Sequence, residues 1–134
     1  MEVNKIYLSW EQVEGLIKDL ILDIKLKNLK FNKIHGLSRG GLIPAVLLSH
    51  QLSIPYTDSI DDDTLVVDDI CDSGETLKNL TSKFKVKTAV LHYKPITSSF
   101  TPTIYADTIY SKNDWIIYPW ERKDSKTIQD YKLN

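Results

Sequence analysis

The 134-residue chain has one cysteine, Cys71, so no disulfide can close within it and a reducing setting is the simple reading. It has no apolar run near the roughly 20 residues that a membrane-spanning helix requires, so no membrane partner is expected. Its formal net charge is only −1, which leaves no electrostatic case for nucleic-acid binding. The start, Met1-Glu2-Val3-Asn4-Lys5, lacks the basic and apolar regions of a signal peptide, and a cytoplasmic location is expected. There is no repeat, no low-complexity segment and no linker, so one domain spanning 1–134 is expected. With 42% hydrophobic and 26% charged residues, the composition is that of a chain with a real core.

What is present is concentrated in Thr64-Leu65-Val66-Val67-Asp68-Asp69-Ile70-Cys71-Asp72-Ser73-Gly74-Glu75-Thr76. Residues 64–67 are apolar or β-branched and read as a buried strand. Two acids and a Ser/Gly/Thr turn follow, and then Leu77, Leu80 and Phe84 fall at helical spacing. A strand that ends in a turn opening a helix is a natural anion site, because the turn's backbone N–H groups have no partner and the helix dipole favours negative charge there. Gly74 permits close approach of a ligand, and Ser73 and Thr76 add hydroxyl donors. Asp68 and Asp69 would repel a phosphate, so they are expected to face something else: a diol, or a divalent metal carried by substrate phosphates.

A second unit of the same kind lies upstream. Residues 33–37 read as a short strand, Ser38-Arg39-Gly40-Gly41 as a turn, and Leu42 onward as a helix with Pro44 in its first turn. Gly40 and Gly41 free the backbone to present N–H groups, and Arg39 adds a cationic fork suited to phosphate. Before it, Ser9 with Gln12 three residues on forms a capping-box pattern that starts an amphipathic helix over about 10–27. Residues 54–57 read as a strand. The connection from Thr57 to Thr64 is too short for an ordinary crossover and reaches about 24 Å if extended. It is therefore taut, and Asp61, Asp62 and Asp63 read as a solvated turn. Residues 86–93 alternate as an internal strand stopped by Lys94-Pro95, and 103–110 carry a further short strand or two. Trp115-Ile116-Ile117-Tyr118-Pro119-Trp120-Glu121 is an apolar, aromatic patch offering surface to a second copy, so a homo-oligomer is expected. The 122–134 tail is polar with weak helical character. Together the elements predict an α/β fold, a doubly wound, mainly parallel sheet with ligands at the strand C-termini.

The run from Val66 to Thr76 resembles the motif with which type I phosphoribosyltransferases bind 5-phosphoribosyl-1-pyrophosphate (PRPP). Ser38-Arg39-Gly40-Gly41 resembles the pyrophosphate loop of the same family. Leu8-Ser9-Trp10, Tyr93-Lys94-Pro95, Asp114-Trp115-Ile116 and Tyr118-Pro119-Trp120-Glu121 are similar to the bacterial xanthine-guanine branch. The resemblance implies the type I fold with a small C-terminal base-binding segment, and transfer of phosphoribose from PRPP to a 6-oxopurine. It implies Mg²⁺ as cofactor, met through the substrate at Asp69, and PRPP and a purine base as small-molecule partners. Ser38, Arg39, Gly40 and Gly41 would hold pyrophosphate. Asp68 and Asp69 would meet the ribose hydroxyls, and Asp72, Ser73, Gly74, Glu75 and Thr76 would cradle the 5-phosphate. Asp72 would exchange a proton with the purine N7, Lys94 would donate to the exocyclic oxygen, Trp115 would stack on the ring, and Ile116 would read the base edge.

One feature departs from the family. Its competent members carry a long flexible loop that closes over the substrates, and here only residues 58–63 stand in that place. Two readings follow. In one, the chain is a purine phosphoribosyltransferase, as Asp72, Lys94 and Trp115 suggest. In the other it is a PRPP- or nucleotide-binding module with little turnover.

Overall fold

The computed structural model describes residues 3–121, so the tail at 122–134 lies outside the described residues. In chain order the elements are β1 (Asn4–Tyr7), α1 (Trp10–Leu26), β2 (Lys33–Gly36), α2 (Leu42–Leu52), β3 (Thr64–Cys71), α3 (Glu75–Lys83), β4 (Lys87–Tyr93), β5 (Ile104–Thr108) and β6 (Asp114–Ile117). The fold is α/β. A four-stranded parallel sheet runs β2-β3-β4-β5, and a separate parallel pair joins β1 to β6.

The predicted strand at 54–57 forms only one bridge, Tyr56 to Ile34 on the outer side of β2. Its backbone is nevertheless tied there, with Ile34 donating to Pro55 and Thr57 to Ile34. Counting that segment, the spatial order is second-first-third-fourth-fifth, a doubly wound arrangement whose switch point lies between β2 and β3. Helices cover both faces. Val13, Ile17, Leu20 and Ile24 of α1, with Ala45 and Leu48 of α2, pack against Leu65, Val67, Ala89, Leu91 and Ile104. On the other face Leu77 of α3 packs with Val66, Cys71 and Val90.

The capping box at the head of α1 forms as the spacing predicts: the Ser9 hydroxyl accepts from Gln12 N–H, and the Gln12 side chain accepts from Ser9 N–H. The 58–63 connection crosses the α3 face, where Ile60 packs into that cluster. Asp61 pairs with Lys33 and bonds Thr64, Asp62 accepts from Lys85 N–H at 3.0 Å, and the Asp63 carbonyl accepts from Asn32 at 2.9 Å. The three acids are exposed but engaged in holding the turn, which fixes the connection at the N-terminal end of the sheet.

Two sequence expectations are corrected. The strand read as ending at Val67 continues to Cys71, so Asp68 and Asp69 are strand residues and the turn begins at Asp72. The Trp115–Trp120 patch, expected to be free surface, is largely consumed inside the molecule: β6 pairs with β1 in a register of Ile6 with Ile116, and Ile116, Ile117 and Tyr118 are buried. Neither β1 nor its pairing was legible, because four residues of mixed polarity carry no period that distinguishes a strand from a lead-in to α1. No helix among the described residues is long and apolar enough to cross a membrane.

Candidate active site

Two strand-to-helix turns meet at the switch point. The first, after β2, carries Ser38 and Arg39 exposed to solvent, with a cis peptide between them. The backbone N–H groups of Ser38, Arg39 and Gly40 find no acceptor among the described residues. Its glycines are required by proximity. A Cβ on Gly40 would stand 2.1 Å from the Asp69 carboxylate, and one on Gly41 would stand 2.2 Å from the Val67 carbonyl. The loop is thus pressed against the end of β3, and the predicted pyrophosphate residues lie beside the predicted ribose acids.

The acid pair sits on an irregular stretch of strand. Leu65, Val67 and Ile70 pack toward α1 and α2, whereas Val66 and Cys71 pack toward α3. The two-residue alternation therefore slips by one across Asp68 and Asp69. Both acids are half-buried. Asp68 accepts from Asp69 N–H at 2.9 Å, and Asp69 accepts from Ile70 N–H at 2.7 Å.

The second turn runs from Asp72 into α3. Gly74 takes φ +80°, a left-handed conformation that disfavours any side chain, and a Cβ there would also meet Ser98 Oγ at 2.5 Å. The N–H groups of Ser73, Gly74 and Thr76 find no acceptor among the described residues, while Glu75 N–H reaches Ser73 Oγ at 3.3 Å. Such a set of inward amides at a helix start suits a phosphate.

Asp72 is buried, at 5% exposure, and its surroundings come from a segment that sequence reasoning missed. Thr97 Oγ1 donates to Asp72 Oδ1 at 2.7 Å, and Ser99 N–H donates to the Ser73 carbonyl at 2.8 Å, so the Ser/Thr-rich loop after β4 braces the turn at the head of α3. A cluster of Ser, Thr and Pro announces a loop, but nothing in it states where the loop will land. Asp72 Oδ2 is buried and finds no hydrogen-bond partner among the described residues. Lys94, which alone would read as a solvated lysine stopped by proline, is only 1% exposed. Its ammonium donates to the carbonyls of Asp114 at 3.1 Å and Lys112 at 3.3 Å and lies 3.9 Å from Asp72 Oδ1. It therefore links the head of β6, where Trp115 and Ile116 stand, to the acid that opens the second turn. Trp115 is partly exposed opposite Lys5, and Ile116 is buried opposite Ile6.

Under the acid pair lies a buried polar contact. Tyr118 Oη donates to the Asp69 carbonyl at 3.1 Å and stands 2.8 Å from His92 Nδ1. Burial, countered weakly by Asp107, holds the His92 imidazole neutral down to about 4. Because its pKa is lowered on folding, the unfolded state binds more protons between the ordinary histidine value and about 4. Stability is therefore expected to fall as pH is lowered through that window, by about 3 kcal/mol in all. Urea unfolding at pH 7 and pH 4.5 checks this. His92→Gln, which can still donate to the phenol, should lose most of the histidine share of the decline; an unchanged profile would sink the assignment.

No family model matches the chain. Over 95% of its length it is similar to the solved purine phosphoribosyltransferase of Pyrococcus horikoshii Ot3, at 30% identity and TM-score 0.76, with 100% of that chain covered. It is 27% identical to the xanthine-guanine phosphoribosyltransferase of Idiomarina loihiensis, with 88% of each chain covered. A Neisseria gonorrhoeae protein solved with bound ppGpp superposes with TM-score 0.74 at 24% identity, covering 92% of this chain and 93% of that one, a likeness of fold.

Proposed function

The chain belongs to the type I purine phosphoribosyltransferases, and from that premise we propose that it transfers phosphoribose from PRPP to a 6-oxopurine base, releasing pyrophosphate. The observation that carries this reading is Asp72. A buried carboxylate oxygen that has no partner among the described residues, beside a turn whose amides likewise find no acceptor there, is what a proton-exchanging acid requires and what a simple phosphate binder does not.

The residues divide the work as follows. Ser38, Arg39, Gly40 and Gly41 hold the pyrophosphate, and Asp72 through Thr76 hold the 5-phosphate. Asp68 and Asp69 receive the ribose hydroxyls. Asp72 exchanges the proton at N7 as the base is alkylated at N9. Lys94 donates to the exocyclic oxygen, a role for which adenine's amino group is unsuited, while Trp115 covers the ring and the backbone at Ile116 meets its edge. The protein's contribution is mainly orientation and charge management around a carbon that becomes oxocarbenium-like.

Mg²⁺ fits this site as a cation brought by the substrate. Two adjacent carboxylates stand at the strand end, and no group of three or more His, Cys, Asp or Glu side chains among the described residues forms an autonomous metal site. Asp69, beside Asp68, would meet the ion, which when bound neutralises charge on the departing pyrophosphate. The chain is read as one cytoplasmic domain over 1–134. A homo-oligomer remains part of the reading, with Leu22, Leu26 and Val46 as the exposed apolar surface on α1 and α2.

A binding module with little turnover is the second reading, favoured by the pinned 58–63 connection, which cannot close as a lid. The test is pyrophosphate release from PRPP and Mg²⁺ with guanine, xanthine, hypoxanthine, adenine or no base. Turnover with 6-oxopurines and not with adenine is expected. Saturable PRPP binding without turnover would replace the first reading by the second. Release without base would mean that water competes in the open site.

A further inference from the structure

We propose that Tyr118 is a positioning residue for PRPP: its hydroxyl sets the Asp68–Asp69 strand end by holding the Asp69 carbonyl. The inference rests on the reading that those acids face the ribose.

The direction of the hydrogen bonds is fixed by chemistry. A carbonyl only accepts, so the Tyr118 proton is committed to Asp69 at 3.1 Å. The contact to His92 at 2.8 Å must then run from Nδ1–H to the phenol oxygen, which defines a neutral Nδ1–H imidazole.

The hydroxyl is also rigidly mounted. Tyr118 is 2% exposed, and its ring stacks on Trp120 at 4.8 Å with planes 2° apart. Trp120 in turn meets Trp10 of α1 at 5.9 Å. Tyr118 N–H donates to Glu121 Oε1 and Glu121 N–H to the Tyr118 carbonyl, each at 2.9 Å, closing the turn on itself. A carbonyl held by so fixed a donor fixes its own peptide plane, between Asp69 and Ile70, and Asp69 inherits that orientation directly. Tyr118 also follows β6 directly, so its phenol joins the strand presenting Trp115 and Ile116 to the Asp69 carbonyl.

Tyr118→Phe keeps the ring and its stack and removes only the hydroxyl. We expect KM for PRPP to rise about tenfold, with KM for the base changing less than twofold; the thermal midpoint should fall by several degrees, since the Asp69 carbonyl and the His92 Nδ1–H both lose their partner. His92→Phe leaves the phenol–carbonyl bond in place, so its effect on KM for PRPP should be under threefold. The double variant should be no worse than Tyr118→Phe alone. Calorimetric PRPP–Mg²⁺ affinity should weaken by the same tenfold. An unchanged PRPP affinity in Tyr118→Phe would overturn the inference. So would equal losses in PRPP and base affinity, which are the mark of a merely structural role. Wild-type protein that binds no PRPP would overturn the functional reading and this inference with it, and is distinguished by the parent's own titration.

Discussion

Asp72→Asn is expected to lower kcat by roughly 10²–10⁴-fold, the usual weight of a positioned proton-transfer group. The substitution is close to isosteric. Its amide oxygen can keep the 2.7 Å bond from Thr97, and Lys94 keeps its two carbonyl acceptors. The amides of Ser73, Gly74 and Thr76 are untouched, so KM for PRPP should move only a few-fold. Lost instead is the acceptor at Oδ2, which has no partner among the described residues. Steady-state kinetics with hypoxanthine or guanine provide the check. A variant within threefold of the parent kcat would remove Asp72 from the proton transfer and leave it as a brace for the 97–99 loop.

Lys94→Met should be costly twice over. The ammonium is 1% exposed and is the donor to two carbonyls and the nearest cation to a buried carboxylate. Removing it takes the donor from two carbonyls and the nearest cation from Asp72, whose Oδ1 keeps only the Thr97 bond, and breaking a buried pair in this way costs about 3–5 kcal/mol. At 3.9 Å the contact with Asp72 is at the outer limit of an ion pair, so most of that cost should come from the carbonyls of Lys112 and Asp114. Urea unfolding should show the loss, and adding Asp72→Asn should recover a part of it by removing the stranded charge. In activity, Lys94→Met should lose 6-oxopurine turnover far more than PRPP binding. A variant as stable as the parent would mean that the 112–114 backbone rearranges to satisfy itself, and that Lys94 is not what anchors β6.

The two turns were legible because each is a local object. Strand, glycine and helix start follow one another within a dozen residues, and the amides they expose depend on backbone geometry that Gly40, Gly41 and Gly74 encode directly. The α1 cap was legible for the same reason. The end of β3 was misjudged because carboxylates mark turns by composition, whereas here pairing with β4 keeps Asp68 through Cys71 extended. The bridged segment at 54–57 fell short of a strand because it has a neighbour on one side only and meets it at one point. Thr97, Ser99 and Tyr118 were not legible as site residues. They lie 25, 26 and 49 positions from the residues they hold, and no local pattern reports a contact over that span.

Sequence alone determined the α/β class and the two strand-to-helix turns with the acids beside them, because hydrophobic period and glycine freedom act over a few residues. Tertiary structure decided that Lys94 is buried instead of solvated, that the aromatic patch faces inward, and that a phenol and a threonine brace the two acid positions. Those outcomes depend on which distant backbone groups are brought together when β6 pairs with β1 and the loop after β4 folds over the turn, and only the closed fold brings them within hydrogen-bonding distance.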